Sequence, residues 1–139
     1  MRIDLDNKLV ETFPKLYKDR NADMHQTAMC WGFECGDGWF DIIWRLSSRL
    51  EYLINQVPEE EQGNYRAAQV KEKYGGLRFY MTLSTDKMNE VIQLYEDMSY
   101  EICEICGELG KVNIEGWLMT RCERCRMGKH VEEWISAHR

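Results

Sequence analysis

Four cysteines near the C-terminal end of the chain constrain its fold more than any other feature. Cys103, Cys106, Cys122 and Cys125 follow the spacing C-x2-C-x15-C-x2-C. Each Cys-x2-Cys pair can close a tight turn that points two sulfurs at one metal ion, and the residues between the pairs can form a short hairpin. Four thiolates make the closed tetrahedral shell of a structural zinc ion. The sequence therefore predicts a zinc ribbon whose metal is structural.

The ribbon has further local signals. Gly107 directly after the second cysteine predicts a backbone with positive φ. Lys111–Ile114 and Trp117–Arg121, joined at Glu115–Gly116, suit the two strands of the hairpin. A short helix over 127–137 is expected to follow and to pack on the rest of the chain. Because the coordination shell is closed, no position is left for an activated water, and the metal is not expected to catalyse a reaction.

The N-terminal part of the chain predicts two helices separated by an irregular segment. Apolar residues recur at helical spacing over 3–18, and Pro14 predicts a break near Phe13. Residues 19–38 are polar and then glycine-rich, and Asp37 is expected to cap the next helix, over about 38–56. That helix carries one apolar stripe, made of Trp39, Ile43, Leu46, Leu50, Leu53 and Val57.

Residues 66–83 alternate as a β-hairpin does, with Gly75–Gly76 as its two-residue turn. Ser84-Thr85-Asp86 offers caps for a last helix that runs to about residue 102. We therefore expect an α+β fold with helices packed on a β-hairpin or small antiparallel sheet. Residues 1–102 would form the core (helix, helix, β-hairpin, helix), and residues 103–139 the zinc ribbon with its C-terminal helix.

The hairpin also predicts a cationic face. If Gly75–Gly76 is the turn, Lys73 lies opposite Arg78 and Lys71 opposite Tyr80, and one side of the sheet carries Gln69, Lys71, Lys73, Arg78, Tyr80 and Thr82. Paired like charges destabilise a sheet unless an anion lies between them. The chain has a net charge of −6, which makes this local cluster unusual. The alternatives are a solvated strand face, an internal salt-bridge network and a site for an anionic ligand. Candidate ligand-binding residues are Lys71, Lys73, Arg78, Tyr80 and Gln69, with Trp39 as an aromatic that could stack on a base.

Charge and cysteine usage limit the classes of function. An acidic chain with a pI of about 5.1 is not a general binder of phosphate backbones. No apolar run could cross a bilayer and no apolar signal core stands at the N-terminus, so we expect a cytoplasmic protein whose thiols stay reduced. Cys30, Cys35 and His25 could form a second metal site, although buried thiols are the favoured interpretation.

Arg121, Arg124, Arg126 and Lys129 form a second, weaker basic cluster around the second cysteine pair, of the kind with which zinc ribbons contact nucleic acid. A zinc nuclease of the His-Asn-His type is disfavoured, since no histidine lies within residues 107–121 and His130 comes after the ribbon. The sequence also lacks a nucleophile elbow and a phosphate-binding glycine loop, so an enzyme is not the expected reading.

Several motifs together resemble a known group of proteins. The segments 35–40 (CGDGWF), 70–80 (VKEKYGGLRFY) and 102–107 (ICEICG), followed by Gly116-Trp117 before the last two cysteines, are similar to small uncharacterised proteins of phages and prophages. The resemblance implies a phage or mobile-element origin and a host-cell cytoplasmic location. It also implies an accessory or counter-defence role, by binding host proteins or by sequestering nucleotide immune signals.

Three functions follow as expectations. The first is a non-enzymatic protein that binds an anionic ligand, such as a nucleotide, on the hairpin face. The second is a protein-interaction module that inhibits or adapts a host factor. The third is a zinc ribbon that binds nucleic acid. The apolar stripe of the helix over 38–56 would suit a homodimer as well as a monomeric core.

Overall fold

The computed structural model of the chain describes residues 1–113 and 115–126, and in these residues helices pack on one face of a small sheet. The α+β class is confirmed. The elements are α1 (Ile3–Thr12), β1 (Phe33–Glu34), α2 (Phe40–Gln56), α3 (Glu59–Gln62), β2 (Ala67–Lys73), β3 (Gly76–Met81), α4 (Asp86–Ser99), β4 (Lys111–Val112) and β5 (Thr120–Arg121). The helix predicted over 127–137, with Lys129 and His130, lies outside the described residues. No helix in the described part of the chain is both long and apolar enough to cross a bilayer.

The break predicted near Phe13 is confirmed, because α1 ends at Thr12 and Pro14 begins a run of turns. These turns are held by a buried ion pair rather than by regular structure. Arg20 Nε lies 3.0 Å from Asp6 Oδ1, and Arg20 Nη1 donates to the carbonyl of Cys30 at 2.9 Å. Asp6 is only 4% exposed. A buried charge needs such a partner, and the pair therefore fastens the irregular segment to α1.

Helix α2 supplies the centre of the core. Ile43, Leu46 and Leu50 are fully buried, as the apolar stripe predicted. At the end of the helix the buried residue is Ile54, which was not in the predicted stripe, while Leu53 and Val57 are only partly buried. The predicted cap by Asp37 is wrong. Residues Asp37–Trp39 form a short 3-10 turn, and the carboxylate of Asp37 instead accepts the backbone N–H of Arg2 at 2.8 Å.

The main sheet has three strands in the order β1-β2-β3. Strand β1 pairs in parallel with β2, Phe33 opposite Val70 and Glu34 opposite Lys71. The sheet is therefore mixed and not antiparallel as expected. Two residues are too few to show a strand period in the sequence. Val70, Leu77 and Phe79 face the helices and belong to the core.

The hairpin of β2 and β3 is confirmed, but its register differs from the predicted one. The turn is Tyr74–Gly75, with φ of +54° and +86°, the two positive values that a tight two-residue hairpin turn requires. The carboxylate of Glu72 accepts the N–H of Gly75 at 2.8 Å and fixes this turn. Gly76 is needed in the strand instead, because a Cβ there would lie 2.3 Å from the ring of Tyr100.

The shifted register changes which residues lie opposite each other across β2 and β3, but it leaves their side chains on the predicted sides of the sheet. Lys71 lies opposite Arg78, and Gln69 opposite Tyr80, while Lys73 lies opposite Gly76. The predicted pairing of Lys73 with Arg78 is therefore wrong, although both residues still lie on the outer face. Thr82, predicted on this face, lies beyond β3, where its hydroxyl donates to the carbonyl of Asn64 at 2.8 Å.

Helix α4 begins after Thr85, whose hydroxyl accepts the N–H of Met88 as the sequence predicted. It covers the free edge of β3: Ser99 Oγ accepts the N–H of Leu77, and Glu96 Oε2 accepts the N–H of Phe79, both at 2.8 Å. An open strand edge would offer these groups to other chains. The helix ends at Ser99, before the predicted residue 102.

Candidate metal centre and cationic sheet face

The four predicted cysteine ligands come together in the structure. Their four sulfur atoms all lie within 4.8 Å of one another; they belong to Cys103, Cys106, Cys122 and Cys125. The sulfurs of Cys106 and Cys122 are 3.6 Å apart. Four sulfurs at about 2.3 Å from a zinc ion would lie about 3.8 Å apart at the corners of a tetrahedron. The cluster therefore has the size of a four-thiolate metal site, and it could hold a metal ion.

The backbone favours the thiolate of Cys103, whereas burial and the neighbouring sulfurs raise the pKa of Cys125. Burial raises the pKa of the Cys103 thiol, but the backbone groups of Cys122, Cys106 and Ile105 outweigh it and lower the pKa to about 6. The N–H of Cys125 also donates to the sulfur of Cys122 at 3.3 Å. Gly107 has the predicted positive φ, +82°, which lets the first Cys-x2-Cys turn close. These N–H donors stabilise negative charge where metal ligands must be deprotonated.

The first Cys-x2-Cys turn is docked on the body of the protein. The N–H of Gly38 donates to the carbonyl of Glu104 at 2.8 Å, and the carboxylate of Glu104 accepts the N–H of Gly36 at 2.8 Å. A Cβ on Gly38 would lie 2.2 Å from the carbonyl oxygen of Cys103. The two glycines therefore permit backbone-to-backbone contact, which places the cysteine cluster directly beside the start of α2.

Trp39 seals the same contact. Its indole N–H donates to the carbonyl of Ile102 at 2.8 Å, and the side chain is fully buried. Its ring therefore belongs to the core and is closed to a ligand. Trp39 cannot stack on a base in this position, which corrects the binding role predicted for it.

The hairpin of β4 and β5, which we call the ribbon, also contacts the turn of the main hairpin. Strands β4 and β5 pair Lys111 with Arg121 and Val112 with Thr120, a shorter ladder than the one predicted. The buried hydroxyl of Thr120 donates to the carbonyl of Gly75 at 2.6 Å. Gly75 forms the turn between β2 and β3, and Thr120 lies two residues before Cys122. This hydrogen bond therefore links the cysteine cluster to the main sheet.

The remaining cysteines do not form a comparable site. Cys35 is buried, Cys30 is partly buried, and among residues 1–113 and 115–126 no group of three or more metal-binding side chains includes either of them or His25. Burial, and then the nearby carboxylate of Glu104, raises the pKa of Cys35 to about 12. The thiol of Cys35 is therefore protonated and inert at neutral pH.

The outer face of the main sheet carries the predicted cations. Lys71 and Arg78 are partly buried and directly opposed, and Lys73 is exposed at the end of β2. Tyr80 is 42% exposed, and Gln69 lies opposite it on the central strand. In the described part of the chain, no carboxylate lies within 4.0 Å of the charged nitrogens of these three cations. They form a cluster of like charge on an accessible sheet face, which we call the cationic face.

Two further residues join this face that the sequence did not indicate. Glu34 enters from β1 beside Lys71 and accepts the amide of Gln69 at 3.3 Å. The ring of Tyr100 lies over Gly76, and its hydroxyl accepts a hydrogen bond from Arg78 Nη2 at 2.9 Å. No local pattern reveals either residue, because one comes from a two-residue strand and the other from just beyond the end of α4.

A shallow groove lies beside the cationic face, between β3 and α4. Its volume is about 380 Å³, and Arg78 and Tyr80 form one wall of it. Asn89, Gln93 and Glu96 of α4 line the other side. Burial raises the pKa of Glu96, which receives the N–H of Phe79. A ligand held by Arg78 would therefore lie beside the uncharged side chains of Asn89 and Gln93 and the carboxyl group of Glu96.

Comparison of the chain with models of known protein families, with curated proteins and with solved structures found no match.

Proposed function

We propose that this chain is a non-enzymatic binding protein that holds one structural zinc ion and binds a small phosphate-bearing ligand on its cationic face. One observation carries the proposal: Lys71 stands directly opposite Arg78, next to Lys73, and no carboxylate among the described residues lies within 4.0 Å of their charged nitrogens, although Glu34 lies opposite Lys71 on the β1 side. Cross-strand like charges destabilise a sheet unless an anion separates them.

Zinc is the metal that the ligand set favours. Soft thiolates select zinc, copper(I) and iron–sulfur clusters, and a single tetrahedral four-thiolate site in a ribbon is typical of structural zinc. The sulfur separations support one such ion. Four protein ligands leave no open coordination position, so the metal stabilises the fold and the ligand is bound elsewhere.

The residues of the cationic face suit a phosphate group. Lys71 supplies a compact charge, Arg78 a planar set of donors, and Tyr80 a hydroxyl or a stacking ring. Glu34 limits the positive region on the side of β1, because a carboxylate repels further phosphates. The site therefore fits a small anion better than a long polyanion.

A nucleotide would satisfy both parts of the surface. Its phosphate would lie between Lys71 and Arg78, and its base would reach the groove lined by Asn89 and Gln93. Sequestration of a nucleotide signal is the biological role that the resemblance to phage proteins suggests for such a site.

Titration calorimetry with pyrophosphate and a panel of linear and cyclic nucleotides tests the proposal. Lys71→Gln removes one charge from the face and keeps a polar side chain that is one bond shorter. Hydrogen bonds to charged groups contribute about 1.5–3 kcal/mol, so Kd should rise by roughly 10- to 150-fold. Arg45→Gln is the matched control, because Arg45 lies on α2 in an exposed pair with Asp41.

Arg78→Lys separates charge from geometry, since it keeps the cation and loses the planar donors. It should weaken nucleotide binding less than Lys71→Gln does. Absence of any binding by the unchanged protein, or equal losses in Lys71→Gln and Arg45→Gln, would contradict a ligand site on the cationic face.

A further inference from the structure

The ribbon carries a second cross-strand pair of like charges, separate from the cationic face. Lys111 of β4 lies directly opposite Arg121 of β5. Arg126 extends to the same place, where its guanidinium donates to the carbonyl of Lys111. The three cations border a groove of about 550 Å³, lined by Leu109, Gly110, Lys111, Arg121, Glu123 and Arg126.

The groove has a backbone floor and a positive balance. A Cβ on Gly110 would lie 2.7 Å from the carbonyl carbon of Arg121, so the two chain segments run in close contact there. Glu123 is the one carboxylate lining the groove among the described residues. None of the three cations lies within 4.0 Å of a carboxylate in that part of the chain. A phosphodiester could therefore pair with these cations without displacing an ion pair.

An aromatic side chain stands farther along the same hairpin. Trp117 is 78% exposed, the most exposed tryptophan among the described residues. The backbone that carries it is nevertheless held in place, because the amide of Asn113 donates to the carbonyls of Glu115 and Trp117 and accepts the N–H of Met119. An exposed tryptophan on a braced turn is a surface for stacking, since every unpaired base has an apolar π-face.

The two features fit one linear ligand. Trp117 lies four positions before Arg121, which is at most roughly 13 Å along an extended chain. A few nucleotides of an extended single strand cover that length, with phosphates at the cations and a base at the indole. A duplex would hide its bases from Trp117 and would bring more phosphates to an acidic protein.

We infer that the ribbon hairpin binds single-stranded nucleic acid through Lys111, Arg121 and Arg126, with Trp117 as the stacking residue. This binding is independent of the cationic face on the main sheet. Lys71→Gln should therefore leave it unchanged, and failure of one site would not imply failure of the other.

Fluorescence polarisation of labelled 12-nucleotide single strands, as DNA and as RNA, tests the inference on the 139-residue chain purified with zinc. Three phosphate contacts give a slope of about −2 in log K against log salt, so affinity should fall about 20-fold between 50 and 200 mM salt. In Lys111→Gln/Arg121→Gln, one contact remains and the fall should be about 3-fold, with affinity at 50 mM reduced at least 10-fold. Arg45→Gln/Arg49→Gln removes the same charge from α2 and should match the unchanged protein.

Trp117→Ala should weaken binding by about 5- to 150-fold, while Trp117→Phe keeps most of it, because stacking contributes about 1–3 kcal/mol per base. If the double variant loses its zinc, Lys111→Gln alone serves, since its side chain is exposed. The inference is overturned if no strand binds at 50 mM salt. Equal losses in the α2 control, equal affinity for a duplex, or a neutral Trp117→Ala would also overturn it.

Discussion

Gly38→Ala should destabilise the protein because it pushes the first Cys-x2-Cys turn away from the helical body. The new Cβ would lie 2.2 Å from the carbonyl oxygen of Cys103 and 2.6 Å from the carbonyl carbon of Glu104. Real Cβ atoms do not approach other atoms below 3.0 Å. Both obstacles are backbone atoms, so a side-chain rotation cannot relieve the overlap, and one of the two segments has to move.

The expected loss is the sum of two effects. Overpacking a close contact costs about 1–3 kcal/mol. Separation of the segments also breaks the hydrogen bond from Gly38 N–H to the carbonyl of Glu104, 2.8 Å long, which contributes about 1 kcal/mol. We therefore expect Gly38→Ala to lower the free energy of unfolding by about 3 kcal/mol.

Gly63→Ala is the matched control. A Cβ there meets no atom within 4 Å, and the residue has an ordinary helical φ of −64°. Alanine at such a position stabilises a protein by about 0.4–1 kcal/mol, because it restricts the unfolded chain. Urea denaturation with excess zinc, followed by tryptophan fluorescence and circular dichroism, measures both variants. A difference of less than about 1 kcal/mol between them would refute the docking of the cysteine cluster on the start of α2.

Three other predictions concern the metal and the contacts around the sheet. Mass spectrometry should find one zinc ion per chain, and Cys106→Ser or a chelator should remove it and lower Tm; an unchanged Tm after chelation would contradict a structural role. Thr120→Val should cost about 1–3 kcal/mol in urea denaturation, because it leaves the carbonyl of Gly75 buried without its donor, whereas Thr120→Ser should keep most of the stability. Glu96→Gln should lower the free energy of unfolding, relative to the unchanged protein, more at pH 5 than at pH 7. Burial raises the folded pKa of Glu96, so its contribution to stability is present at low pH and is lost as pH rises through that pKa; equal effects at the two pH values would contradict this.

The sequence predicted best those features that a short stretch of chain determines alone. The cysteine spacing identified the cluster of Cys103, Cys106, Cys122 and Cys125. Helical periodicity identified α2, and the cap at Thr85 placed the start of α4. Period-two alternation identified the hairpin of β2 and β3 and the side of the sheet on which its cations lie.

Features that depend on contacts between distant segments could not be predicted. Two adjacent glycines allow more than one turn, and the choice of Tyr74–Gly75 depends on Glu72 from one side and Tyr100 from the other. Strand β1 is too short to have a period. Asp37 is a residue type that caps helices, but its carboxylate accepts the N–H of Arg2, and α2 begins after Trp39 without a side-chain cap.

The glycines at 36 and 38 illustrate the same limit. The sequence predicts only that they belong to an irregular, glycine-rich segment before a helix. In the structure their N–H groups are donated to Glu104, and their missing side chains leave room for its backbone. An anion could not use those donors without undocking the first Cys-x2-Cys turn, which is why we propose the main sheet and not this turn as the phosphate site.

The location of the bound ligand decides whether the cationic face is a phosphate site. Backbone amide chemical shifts of the 15N-labelled protein, followed during titration with the tightest-binding nucleotide or with pyrophosphate, report which residues the ligand contacts. We expect the largest changes at Lys71, Lys73, Arg78 and Tyr80, with little change along α2. Changes confined to α2 or to the ribbon, or no changes at saturating pyrophosphate and nucleotide, would contradict a phosphate site on the cationic face.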